Sequence, residues 1–108
     1  MKDVKTPTSR SYREYLISSL KDPERAAGYI AVMLELDEEG FEPELFRSAL
    51  KEVVEARIQM NDFSQEAKLS YEKLDKILLE TKAAEIYSLI EFLDALGFRI
   101  ALVPKEST

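Results

Sequence analysis

The sequence predicts one all-α domain of five or six helices, closed by a short strand near its C-terminus. Three observations carry this. Apolar residues recur at helical spacing through most of the chain. Pro23 and Pro43 stand where helices open, because a proline in the first turn lacks only an N–H that would have no helical partner anyway. Gly97 follows the last apolar period and suits the left-handed residue that ends a helix. A length of 108 residues fits a single domain.

Taken in order, residues 1–10 are polar, contain Pro7 and read as a flexible tail. A first helix fits Ser11 to Leu20, with Tyr12, Tyr15, Leu16 and Leu20 on one side. Asp22 caps a second, opened by Pro23, whose stripe is Ala26, Ile30, Met33 and Leu34, and Gly40 marks a break. The third opens at Pro43 and ends near Arg57 to Met60. Its face of Leu45, Phe46, Ala49, Leu50, Val53, Val54 and Ile58 is wide enough to make it the central core helix. A last helix covers Ala83 to Leu96, with Ile86, Leu89, Ile90, Leu93 and Leu96 inward. The segment FRIALV, residues 98–103, suits a strand that Pro104 stops. A lone strand in a helical chain has no ladder partner. Pairing with its copy in a homodimer satisfies it; lying flat on the last helix is the alternative.

Composition narrows the function. About 45% of residues are hydrophobic and a third are charged, which fits a folded, water-exposed protein. No apolar run is long enough to span a membrane, and MKDVKTPTSR lacks the apolar core of a secretory signal, so a cytoplasmic protein without a membrane partner is expected. There is no cysteine and no histidine, hence no disulfide, no thiol chemistry and none of the commonest zinc ligands; no cofactor or metal is expected. Acid–base catalysis would fall on scattered carboxylates or lysines, which makes an enzyme the weakest reading. The net charge of −6 opposes non-specific nucleic-acid binding, although the charge is uneven. Lys2, Lys5, Arg10 and Arg13 crowd the start, and Glu35, Asp37, Glu38, Glu39, Glu42 and Glu44 form an acidic run suited to a solvated loop or to a basic protein partner.

The stretch FSQEAKLSYEKLDKIL, residues 63–78, is the most informative. Asn61 and Ser70 are both good N-caps, and Leu69 with Leu74 has the spacing of a hydrophobic staple. Together they predict two short helices, Phe63 to Ala67 and Tyr71 to about Leu79, joined by a tight corner: a helix-turn-helix over residues 61–79. In a DNA-binding unit of this kind the second helix enters the major groove. Most such corners are packing alone.

The ordered segments of the whole chain resemble the addiction-module antidote family, HigA-like antitoxins with a Cro/C1-type helix-turn-helix. YREYLISSLKDPERAAGYIAVMLE resembles the family's opening "YL" segment and Pro-started helix. PELFRSALKEVVEAR resembles ALFLAALGDVARAR, MNDFSQEAKLSYEKLDKIL resembles SQIARETGLSREALYKAL, and SLIEFLDALGFRIALV resembles TLLKVLRALGLRLSV. The resemblance implies a Cro/C1 repressor-like fold with extra N-terminal helices and a short C-terminal strand. It also implies a transcriptional regulator that binds double-stranded operator DNA as a dimer and neutralises a co-encoded RelE/ParE-like toxin. Leu69, Ser70, Glu72, Leu74, Lys76 and Leu78 agree with the pattern. Ser64, Lys68, Asp62, Tyr71 and Asp75 replace its usual Ala, Gly, Gln, Arg and Tyr.

On that reading the DNA-binding residues are Lys68, Ser70, Tyr71, Glu72, Lys73, Lys76 and Lys82. Ser70 and the lysines would meet phosphate, Tyr71 a sugar or thymine methyl, and Glu72 a cytosine amine, with Lys76 a base or phosphate ligand. The balance of four lysines against five acids between Asn61 and Lys82 is unusual for a groove reader. It motivates the alternative, a protein-binding antidote or helical adaptor without significant DNA affinity.

Overall fold

The computed structural model describes residues 9–35 and 42–105. Among them are five α-helices: α1 (Ser9–Ser19), α2 (Pro23–Met33), α3 (Pro43–Gln59), α4 (Gln65–Thr81) and α5 (Ala84–Ala95). The all-α class is as expected. The tail up to Thr8, the break at Gly40 and the middle of the acidic run, Asp37, Glu38 and Glu39, lie outside the described residues, and α1 begins at Ser9, earlier than the sequence placed it.

The helix starts follow local chemistry. Asp22 accepts the Glu24 N–H at 3.0 Å and Pro23 fills the first helical position of α2. Pro43 opens α3 in the same way, although Glu42 makes no side-chain cap bond. Helix α3 is central, touching α1, α2 and α4, while α5 packs on the end of α4. Two buried clusters result. Ile17, Leu20 and Ala56 tie α1 to α3, with Tyr29 and Val53 beside them. Phe46, Leu78 and Ala83 join α3, α4 and the start of α5, with Ile30, Met33, Leu50 and Ile86 around them.

The expected corner is absent. Gln65–Thr81 is one uninterrupted helix of 17 residues, running straight through Ser70. Ser64, not Ser70, is its cap: Ser64 Oγ accepts the Ala67 N–H at 3.0 Å. Asn61 has the opposite role to the one expected. Its φ of 57° is left-handed, and the bonds Asn61 N–H to Ile58 O (2.9 Å) and Asp62 N–H to Arg57 O (2.8 Å) close α3 as a Schellman motif. The reasons are physical. Lys68, in place of the turn glycine, is a good helix former, and no glycine or proline interrupts the stretch. The staple is not made either: Leu69 is 57% and Leu74 38% exposed.

The C-terminal strand is not formed. Residues 98–105 are irregular, with no strand to pair with among the described residues. The Gly97 expectation holds, however. With φ at 90° it ends α5 through Gly97 N–H to Asp94 O (2.9 Å) and Phe98 N–H to Leu93 O (2.8 Å). Beyond it the segment begins against the last helix, where Phe98 and Ile100 share a pocket with Ile90 and Leu93, and then crosses to α2 and α3, where Leu102 and Pro104 share a groove with Ala26, Ile30 and Val53. Several residues expected inward are exposed, namely Tyr12, Tyr15, Leu45, Ile58, Leu89 and Leu96. Five helices of this length cannot cover every apolar face the periodicity marks.

Candidate functional site

The seven residues expected to touch DNA do not form a probe helix standing off a corner. Six lie along α4 and Lys82 caps its end in a left-handed conformation. Lys68, Ser70, Glu72, Lys73 and Lys76 are exposed on α4, and Lys82 is exposed beyond it. Tyr71 is not on that face. It is half-buried toward α3, and burial first, then the Asp75 carboxylate, raises its phenol above the ordinary value against the opposing pull of Arg47. The helix period explains the split, since 67, 71, 74 and 78 are successive turns of one stripe, and that stripe carries Leu78 into the core.

The α3–α4 contact holds a pair that the sequence reading missed. Arg47 Nε and Nη2 donate to the two Asp75 carboxylate oxygens at 2.9 and 3.1 Å, a two-pronged bond with both side chains about 30% exposed or less. The bond to Asp75 raises the Arg47 guanidinium further above its usual value. Asp75, on the helix expected to enter the groove, instead fixes α4 on α3. Nothing in the sequence joined residues 28 apart.

The exposed face of α4 alternates in sign. Lys68, Glu72, Lys76 and Glu80 form an i, i+4 row, and Lys73 sits one heptad from both Glu66 and Glu80. Each lysine therefore has acids within a turn or two, and the face has no net positive field to draw a phosphate backbone. Its chemistry is that of a solvated or protein-contacting helix.

Among the described residues no polar or charged residue is buried, and no cluster of three or more metal-ligating side chains is arranged to hold a metal. The other resolved shifts are tyrosine phenols raised in their pKa. Tyr29 is moved well up by burial and by its 2.5 Å hydrogen bond to Glu52 Oε1, and Tyr87 by its bond to Glu91. Each of those favours the uncharged, unreactive form.

What the chain does present is apolar surface. Among the described residues seventeen large hydrophobic side chains remain more than a third exposed, against nine hydrophobic residues that are buried. On α5, Ile86, Ile90 and Leu93 face the core side while Leu89, Phe92 and Leu96 line a second, bare stripe. The sequence carried a signal for this: apolar residues on α5 cover too wide an arc for a helix with a single contact face. No helix among the described residues is long and apolar enough to cross a membrane. Compared with protein-family models, with curated proteins and with solved structures, the chain matches none.

Proposed function

We propose that this protein is a protein-binding antidote, the antitoxin of a co-encoded toxin, and that it works by docking onto protein rather than by reading DNA. The observation that carries the reading is the excess of exposed apolar side chains over buried ones, with a continuous and charge-balanced α4 where a DNA probe would stand. The ordered resemblance along the chain supplies the toxin as the partner, and the net charge of −6 suits a basic one, because complementary charge speeds encounter. Co-expression with the product of the adjacent gene tests it. Co-purification of the two, with growth restored to cells making that product, is the expected result. A neighbour that neither co-purifies nor is neutralised would sink the proposal.

Operator binding is the second reading, favoured by the exposure of Lys68, Lys73 and Lys76 together on α4. It requires that DNA upstream of the gene bind about tenfold tighter than random DNA at low salt, and that Lys76→Ala weaken it. Fluorescence anisotropy decides between the two.

A further inference from the structure

We propose that the bare stripe of α5 is a docking seam for a basic amphipathic helix of a partner protein, which rests on the reading above that the chain docks onto protein. Leu89, Phe92 and Leu96 are 52%, 61% and 55% exposed. At helical spacing they span about 60° of the surface, with the core-side residues Ile86, Ile90 and Leu93 to one side of them. On the other side Ala84, Ser88 and Ala95, all exposed, form a shoulder of small residues about 40° wide. A ridge of large side chains beside a trough of small ones suits a second helix, because that helix can sink its own ridge into the trough.

The charge of α5 fixes the charge of its partner. From Ala83 to Gly97 the chain carries Glu85, Glu91 and Asp94 and no base; Lys82 precedes the helix and Arg99 follows it. Glu85 stands in line with the seam, one turn before Leu89, and shares a shallow groove with Thr81, Ala84 and Ser88 at the joint with α4. Glu91 borders the far edge of the small shoulder and bonds with Tyr87. Asp94 lies farther round, beside Glu35 and Arg99. A helix whose apolar stripe is flanked by Lys or Arg buries that stripe on the seam and sets a cation in the groove at Glu85. A second copy of this chain is the poorer occupant, since its facing helix doubles the carboxylates and brings no base.

The area bounds the strength. The three seam side chains leave on the order of 300 Å² exposed. A docked helix that covers them and the shoulder buries on the order of 1,000 Å² over both partners, the low end for a specific contact. The seam by itself therefore holds a helix at micromolar strength.

The probe is a fluorescein-labelled peptide of about 15 residues, with leucine at helical spacing and lysine elsewhere. Its anisotropy against the full chain is expected to show saturable micromolar binding, about tenfold tighter than that of the same peptide with glutamate for lysine. Phe92→Ala weakens it about fivefold or more with the helical circular dichroism unchanged. Tyr15→Ala, which removes a similarly exposed ring from α1, leaves it as it was. Glu85→Lys and Glu72→Lys alter the net charge alike, so the difference between them reports the seam alone. Glu85→Lys is expected to weaken binding about threefold more. Equal binding of the two peptides, indifference to Phe92→Ala, or equal losses from the two charge reversals would overturn the proposal. So would self-association of the chain that Phe92→Ala abolishes and the lysine peptide does not displace, since a second copy would then hold the seam. Co-expression separates this inference from the antidote reading. An adjacent gene product retained equally by wild type and Phe92→Ala leaves that reading intact and sinks this one; a product that never co-purifies, beside a peptide that still binds the seam, does the reverse.

Discussion

Helices α3 and α5 show how little apolar content says about burial. Helix α3 is the more charged, yet it buries Phe46, Ala49 and Ala56. Helix α5 is mostly apolar, yet among its residues only Ile90 is buried. The difference lies in their neighbours. Three other helices surround α3, whereas α5 hangs from the end of α4 with one face turned to solvent. A hydrophobic side chain on the enclosed face of α3, such as Phe46, is thus a stability residue. The same side chain on the bare face of α5 is available to a partner.

The sharpest way to break that comparison is to truncate one phenylalanine on each helix. Phe46→Ala empties the second cluster and is expected to cost about 3–4 kcal/mol, read from urea unfolding at low protein concentration. Phe92→Ala under the same dilute conditions is expected to cost about 0.5 kcal/mol or less. Similar losses from the two would mean that α5 is covered as α3 is.

A second pair of variants examines α4. Ser64→Ala removes a cap and is expected to lower stability by about 1 kcal/mol. Ser70→Ala sits within the helix, where alanine is the better former, and is expected to be neutral or to raise stability by a few tenths of a kcal/mol. The reverse order would restore the corner.

Tyr29, in the α1–α3 cluster, adds a pH dependence. Its hydrogen bond to Glu52 is worth about 1 kcal/mol at neutral pH, so Tyr29→Phe lowers stability by that order. The phenol is held uncharged in the fold well above its ordinary value. Below pH about 10 both folded and unfolded phenols are protonated and the contribution is complete. Above it the unfolded phenol ionises first, and the contribution drains away as pH climbs toward the folded value. Denaturation curves at pH 8 and near pH 11 are therefore expected to bring wild type and Tyr29→Phe together.

A smaller effect than the loss of Phe46 concerns the joint from which α5 hangs. Lys82 and Ala83 are both left-handed, at φ of 54° and 59°. Lys82→Gly relieves the first and is expected to add about 0.5–1 kcal/mol. A loss instead would show that the lysine stem packs on the turn.

The residues of the candidate site were only partly legible. Exposure of Lys68, Lys73 and Lys76 followed from the helical period, which was correct for this stretch. Tyr71 and Asp75 were misplaced because a probe helix standing off a corner leaves them bare, whereas in the continuous α4 they lie on the edge that meets α3 and Arg47. Ser, Asn and paired leucines at staple spacing are permissive signals: each also fits a helix interior or a helix end. The α5 seam was half visible in the breadth of its apolar arc, but Leu89 and Leu96 were assigned inward for want of any sequence sign of what covers them.

By itself, the sequence determined the features whose physics closes within a turn or two of chain. Asp22 with Pro23 starts α2, Pro43 starts α3, Gly97 ends α5, and the apolar period makes the chain helical with α3 at its centre. Tertiary structure alone decided whether Ser70 begins a helix or continues one, which of two apolar faces of α5 is covered, and where Arg47 finds Asp75. Those outcomes depend on surfaces brought together from far along the chain. Burial is a property of the neighbour as much as of the residue.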